Sequence, residues 1–237
     1  MVENDTLWRC EPADPDSLVN DVQVWAAWLD TASEEMSWFW STLSNRERER
    51  AGRFVFARDR TYFIAAHGLL RWILAWCLGT EPSQIELRCG NHGKPTLGGA
   101  LAQSGLQFNL AHSANLAVFA VARHRNIGVD VERVRPVSQL AELSGAFFSA
   151  GERAELEAMP DQERDAGFLK IWTRKEAWLK ATGEGITGSL NLIDVSGLPR
   201  RKELKGRPTV GSPGPGLRLH DLVPAPGFLG ALAATEP

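Results

Sequence analysis

Gly128-Val129-Asp130-Val131-Glu132 places two carboxylates two residues apart in a run of β-branched residues. On a strand such a spacing sends both acids to one face and both valines to the other. Two adjacent carboxylates offer hard oxygen ligands to a divalent ion such as magnesium, which takes one or two carboxylates together with phosphate and water oxygens. By itself the pattern equally describes the solvated face of a strand.

A second group lies on Trp172-Thr173-Arg174-Lys175-Glu176-Ala177-Trp178-Leu179-Lys180. Read as a helix, Trp172, Glu176 and Lys180 share one face at i, i+4 and i+8. A surface ion pair is the plain reading. Glu176 also stands among large apolar residues, however, and a carboxylate bordering a core needs a partner or a ligand. Arg174, Lys175 and Lys180 gather positive charge that suits a phosphate. A third group, Phe108-Asn109-Leu110-Ala111-His112-Ser113 with Gly93-Lys94-Pro95 upstream, puts a His, a Ser and a Lys on turns before the acidic strand.

The elements that must position these residues follow from local signals. Val22 to Leu29 reads as the first strand. Ser44-x-x-Glu47 has capping-box spacing and opens the first helix, and apolar residues from Asp59 to Leu78 recur at helical intervals until Gly79. Ile85 to Arg88, Leu106 to Leu110, Leu116 to Ala122 and Ile127 to Val134 read as strands, with His112 in a turn. Ser149-x-x-Glu152 repeats the capping box, Glu163 to Thr182 forms a long helix, and Gly183 stops it. Gly197 to Gly216 is an irregular Gly- and Pro-rich excursion before strands at Leu217 to Leu222 and Phe228 to Ala233.

The halves repeat at a shift of about one hundred residues. Val24 to Trp28 aligns with Gly128 to Glu132, Ser44 with Ser149, Leu70 to Gly79 with Arg174 to Gly183, and Leu116 to Ala122 with a run near Phe228. The expected fold is α+β: two similar subdomains, 1–125 and 126–237, related by a pseudo-twofold axis. Each is a small antiparallel sheet packed with a long helix, and a cleft lies between them.

A chain of 237 residues with 43 % hydrophobic content can bury a substantial core. Net charge −3 argues against a nucleic-acid partner, which calls for a strongly basic balance. The apolar runs are short for a membrane span and the N-terminus lacks signal-peptide order, so the expected location is the cytoplasm. Cys10, Cys77 and Cys89 have no paired spacing and read as reduced thiols.

In order and spacing the motifs resemble those of the Sfp-type 4′-phosphopantetheinyl transferases: Gly-Lys-Pro at Gly93 to Pro95, Phe-Asn-x-x-His-Ser at Phe108 to Ser113, Gly-x-Asp-x-Glu at Gly128 to Glu132, and Trp-Thr-x-Lys-Glu-Ala with a following Lys at Trp172 to Lys180. The resemblance implies transfer of the 4′-phosphopantetheine arm of coenzyme A to a serine of an apo acyl or peptidyl carrier protein, releasing 3′,5′-ADP. Asp130, Glu132 and Glu176 would then hold Mg2+, with the coenzyme A pyrophosphate completing its shell. Glu176 would accept the serine proton and Lys180 would orient it. The resemblance assigns Lys94 and His112 to coenzyme A phosphates, Ser113 to the coenzyme A site, Lys175 to a place beside the pyrophosphate or nucleotide, and Arg50 and Arg53 to the 3′-phosphate. Two departures stand out: Ala111 where a Ser is usual, and Tyr62 near a position often held by Arg. Phe147 and Phe148 fall in the region where carriers dock, although aromatic burial accounts for them equally well. With two linked halves a monomer is expected. A magnesium-dependent nucleotide or pyrophosphate hydrolase, or a non-catalytic coenzyme A or carrier-binding protein, could use the same residues.

Overall fold

The computed structural model describes residues 7–9, 22–90, 93–183, 190–197 and 216–235. The irregular excursion expected over Gly197 to Gly216 lies almost wholly outside them, as do Cys10 and His92.

In chain order the strands are β1 (Leu7–Arg9), β2 (Gln23–Trp28), β3 (Leu87–Cys89), β4 (Pro95–Leu97), β5 (Leu106–Ser113), β6 (Leu116–Arg123), β7 (Ile127–Arg133), β8 (Leu217–Leu222) and β9 (Phe228–Thr235). The helices are α1 (Ser33–Thr42), α2 (Asn45–Gly52), α3 (Ala57–Leu78), α4 (Leu140–Phe147), α5 (Ala150–Glu157) and α6 (Arg164–Thr182). The first half forms an antiparallel sheet in the order β1-β2-β6-β5, and the second a sheet in the order β7-β9-β8. β2 pairs with β6, the last strand of its half, which pairs in turn with β5, and β7 likewise pairs with β9, which pairs with β8.

Both capping boxes form. Ser44 and Glu47 exchange backbone and side-chain bonds at the start of α2, as do Ser149 and Glu152 at α5. Gly79 and Gly183 end α3 and α6 in the left-handed conformation at φ 64° and 74°, which glycine adopts without a Cβ penalty.

The inward faces build four layers. One face of the first sheet (Ala27, Phe108, Ala117, Phe119, Val121) packs under α3. Its other face (Val24, Ala26, Val118, Ala120) meets Ile127, Val129, Val131 and Leu232 of the second sheet. The outer face of that sheet, through Ala231 and Ala233, takes Ala177 and Ala181 of α6. The sheets therefore lie back to back between two long helices. α3 has the length and apolar content of a membrane span, but it is the central helix of the first core, with Leu69, Leu70 and Leu74 fully covered.

Several elements depart from expectation, the short strands β1 and β4 among them. α1 precedes the helix expected to come first, α4 was unforeseen, and β5 runs on to Ser113. His112 and Ser113 thus sit on the strand end, and the turn is Ala114–Asn115, with Ala114 at φ 51°.

Candidate active site

Alternation along β7 places Val129 and Val131 in the core between the sheets and turns Gly128, Asp130 and Glu132 toward α6. Gly128 is where strand and helix touch. A Cβ there would fall 2.1 Å from the Ala177 carbonyl oxygen and 2.4 Å from the Ala181 nitrogen. Only glycine permits that approach, which brings Asp130 within reach of Lys180.

Lys180 Nζ donates to Asp130 Oδ1 at 2.7 Å and to the Val129 carbonyl at 3.1 Å. Asp130 is 8 % exposed. Burial pushes its carboxyl up to about 6; the Lys180 ammonium opposes that shift, and the charges of Glu176 and Glu132 add to it. Burial likewise raises Glu176, Lys180 lowers it, and Glu132 raises it. The three acids therefore share one electrostatic neighbourhood. Asp130 Oδ2 and Glu176 Oε1 are buried without a hydrogen-bond partner. Glu132 Oε2 accepts from Ser113 Oγ at 2.8 Å. Among the described residues, no three His, Cys, Asp or Glu side chains stand as a ready-made metal cluster.

Ser113 leads from the acids into a cavity of about 1300 Å³ between the halves. Arg50, Tyr62, Phe63, His67 and His112 line it from the first half, and Arg133 and Phe228 from the second. Its volume exceeds the usual range for a small-molecule site. Arg50 lies over the Phe63 ring at 5.2 Å, and the Phe63 and His67 rings meet at 4.0 Å, tilted by 31°. The imidazole of His112 is held below its ordinary range, first by partial removal from water and then by the charge of Lys180. Tyr62 donates to Asp30 Oδ1 at 2.8 Å, and Asn115 donates to the other oxygen at 2.5 Å.

The structure thus brings together Asp130, Glu132, Glu176, Lys180, Ser113 and His112, with Arg50 on the cavity wall. Arg53 is exposed at the end of α2 and is not part of that wall. Lys94 does not reach into the cavity: its ammonium donates to the carbonyls of Ile127 at 2.8 Å and Lys180 at 2.7 Å.

Lys175 corrects the sequence reading. Its side chain has no exposure. All three ammonium donors are engaged, by Glu152 Oε2 at 2.7 Å and by the carbonyls of Leu190 at 2.8 Å and Ile193 at 2.5 Å. No N–H remains for a phosphate. A signal existed: Ile171, Lys175, Trp178 and Leu179 recur at i, i+4, i+7 and i+8 on the buried face of α6. For Phe148 the burial alternative holds. It is fully buried and stacked on Phe168 at 4.8 Å, whereas Phe147 is half-buried beside Trp172.

Asn109 has a role the sequence reading missed. Its Oδ1 accepts from Val129 N at 2.8 Å, joining β5 to β7. With Ser113 and Glu132, it fixes the acidic strand against the first half.

Comparison with known proteins defines the class. Residues 126–211 match a sequence model of the 4′-phosphopantetheinyl transferase superfamily, and residues 26–124 match one for a 4′-phosphopantetheinyl transferase N-terminal region. The chain belongs to the 4′-phosphopantetheinyl transferase superfamily, and it is an enzyme that transfers phosphopantetheine to carrier proteins. It is 39 % identical over 226 residues to the 4′-phosphopantetheinyl transferase HetI of Nostoc sp. (strain PCC 7120), covering 95 % of this chain and 92 % of the relative. It is 26 % identical over 176 residues to the transferase Sfp of Bacillus subtilis (strain 168), covering 73 % and 76 %. With AcpT of Salmonella typhimurium it shares 39 % over 113 residues, covering 48 % and 56 %.

Proposed function

We propose that this transferase takes its 4′-phosphopantetheine from coenzyme A, that Asp130, Glu132 and Glu176 hold Mg2+, and that the acceptor is a serine of an apo acyl or peptidyl carrier protein. The observation that carries the metal reading is the pair of unpartnered buried oxygens, Asp130 Oδ2 and Glu176 Oε1. Buried carboxylate oxygens are ordinarily hydrogen-bonded. Two left bare beside a third acid are suited to a hard cation and to little else. When bound, the ion would neutralise charge on the pyrophosphate and favour departure of the nucleotide.

The chain's own side chains supply the rest. Lys180 holds Asp130 in place through Oδ1 and leaves Oδ2 available. Ser113 orients Glu132. His112 and Arg50 on the cavity wall contact phosphate oxygens of coenzyme A. Glu176, whose carboxyl burial pushes up, accepts the proton of the carrier serine on the carboxylate oxygen that the ion leaves free, as the serine oxygen attacks the phosphorus. One P–O bond forms, the P–O bond to 3′,5′-ADP breaks, and the proton remains on the carboxylate until solvent removes it. With the second subdomain covalently present, the protein acts as a monomer in the cytoplasm.

Incubation with coenzyme A, magnesium and an apo carrier should raise the carrier's mass by one phosphopantetheine. No mass change across several acyl and peptidyl carriers would refute the reading. Release of 3′,5′-ADP without any carrier would point to a hydrolase.

A further inference from the structure

We infer that Lys94 is a positioning residue, which clamps the acidic strand β7 to the catalytic helix α6 from the first half of the chain and takes no part in binding phosphate. The inference rests on the metal reading above.

Lys94 precedes β4, outside the second half altogether. Its ammonium nevertheless ends between two backbone carbonyls of that half, those of Ile127 and Lys180. Ile127 begins β7, three residues before Asp130. Lys180 lies in the last turn of α6, one turn after Glu176. The carbonyl of Lys180 is among the last four of the helix, which lack an intrahelical partner and carry the negative end of the helix dipole. A cation there satisfies an acceptor that α6 leaves open, and the same ammonium reaches the strand.

The bridge falls where β7 and α6 are closest. Gly128, next to Ile127, has no room for a Cβ against Ala177, Lys180 and Ala181. Glycine allows the approach, and Lys94 holds it. The separation between strand and helix at this point sets the distance from Asp130 and Glu132 to Glu176. Removal from water holds the Lys94 amine down at about 8, as expected for a group enclosed by protein rather than reaching into an open cavity. With two of its three N–H groups bonded to carbonyls, it is committed before any substrate arrives.

Groups that orient metal ligands from behind typically change metal affinity or activity by about 10–100-fold when lost. Lys94→Met keeps the aliphatic stem and removes the ammonium. Manganese binding, measured calorimetrically without coenzyme A, should weaken by about that factor. Coenzyme A binding in the absence of metal should stay within about twofold, and kcat should fall with little change in KM for coenzyme A. Hydrogen exchange in the metal-free variant should accelerate at the start of β7 and the last turn of α6. Lys94→Arg, which can reach the same carbonyls, should recover part of the metal affinity. Loss of metal-free coenzyme A affinity by tenfold or more, with manganese binding and exchange unchanged, would overturn the inference and return Lys94 to the phosphates. Unchanged manganese binding in Lys94→Met would also overturn it. Absence of manganese binding in the wild type would instead remove the metal reading; faster exchange in the variant would still support the clamp, and unchanged exchange would remove that too.

Discussion

Lys175 Nζ lies 2.7 Å from Glu152 Oε2 with neither side chain exposed, and Arg71 with Glu47 repeats the arrangement in the first half. Arg71 pairs with Glu47 at 2.7 Å and donates to the carbonyls of Pro82 and Ile85 at 2.9 and 2.8 Å. In both halves a cation from the long helix meets the acid of a capping box and ties down the short 3-10 turn that follows the helix, at Pro82–Gln84 and at Leu190–Leu192. The repeat thus extends from strand order to buried ion pairs, and it gives Lys175 a structural task.

Removing one partner of such a pair leaves a buried charge uncompensated, which typically costs about 3–5 kcal/mol. Lys175→Met should lower the stability measured by urea denaturation by roughly that amount, while the folded fraction keeps its affinity for coenzyme A. The double change Lys175→Met with Glu152→Gln should recover part of the loss. Unchanged stability with weakened coenzyme A binding would restore Lys175 to the cofactor site.

Phe148 and Phe147 should separate in the same way. Phe148 is buried in the stack with Phe168, so Phe148→Ala should cost about 3–5 kcal/mol. Phe147 is half-buried at the edge of the same cluster, and Phe147→Ala should cost less and leave a fold in which carrier KM can be measured. Equal stability losses from the two substitutions would contradict this division.

What the sequence made legible was local. Two capping boxes, two glycine stops and the alternation of Asp130 and Glu132 each depend on residues a few positions apart, and all appear as read. α1 and α4 carried no such signal: Ala32 and Gln139 precede them, and neither makes a side-chain cap. The acids could be assigned because period 2 on a strand settles which face they share. Lys175 could not be assigned from its neighbour Glu176, because adjacent helix residues point about 100° apart and the charge alone does not choose a face. Lys94 was illegible for another reason. Its partners are backbone carbonyls 33 and 86 residues away, and backbone acceptors leave no mark in sequence.

Acid should unfold the first half through Glu47. Burial raises its carboxyl, but bonds from His67, Arg71 and Ser44 outweigh that and hold it at about 2 against an ordinary value of 4.5. A depressed folded value means the contribution is complete above pH 4.5 and is lost as pH falls toward 2. Wild-type stability should therefore fall by up to about 3 kcal/mol across that window. Glu47→Gln should start lower and decline less steeply there, followed by denaturation at each pH. Parallel curves for the two proteins would show that the pair does not govern the acid limb.

Asp130 is the most direct test of the metal reading, because its burial pulls activity and stability in opposite directions. Its carboxyl is raised to about 6, so the folded state holds a proton more readily than the unfolded chain. The ionised group therefore opposes folding increasingly as pH rises from about 4 through 6. Asp130→Ala removes that penalty together with Oδ2, and it frees Lys180, which is partly exposed and can turn toward water. Magnesium-dependent transfer should vanish, by at least about two to three orders of magnitude for loss of one organising ligand. The thermal midpoint at pH 8 should stay within a few degrees of wild type. Magnesium should raise the wild-type midpoint and leave that of the variant unmoved. Near-normal transfer by Asp130→Ala, or an equal magnesium shift in both proteins, would show that the ion is held elsewhere.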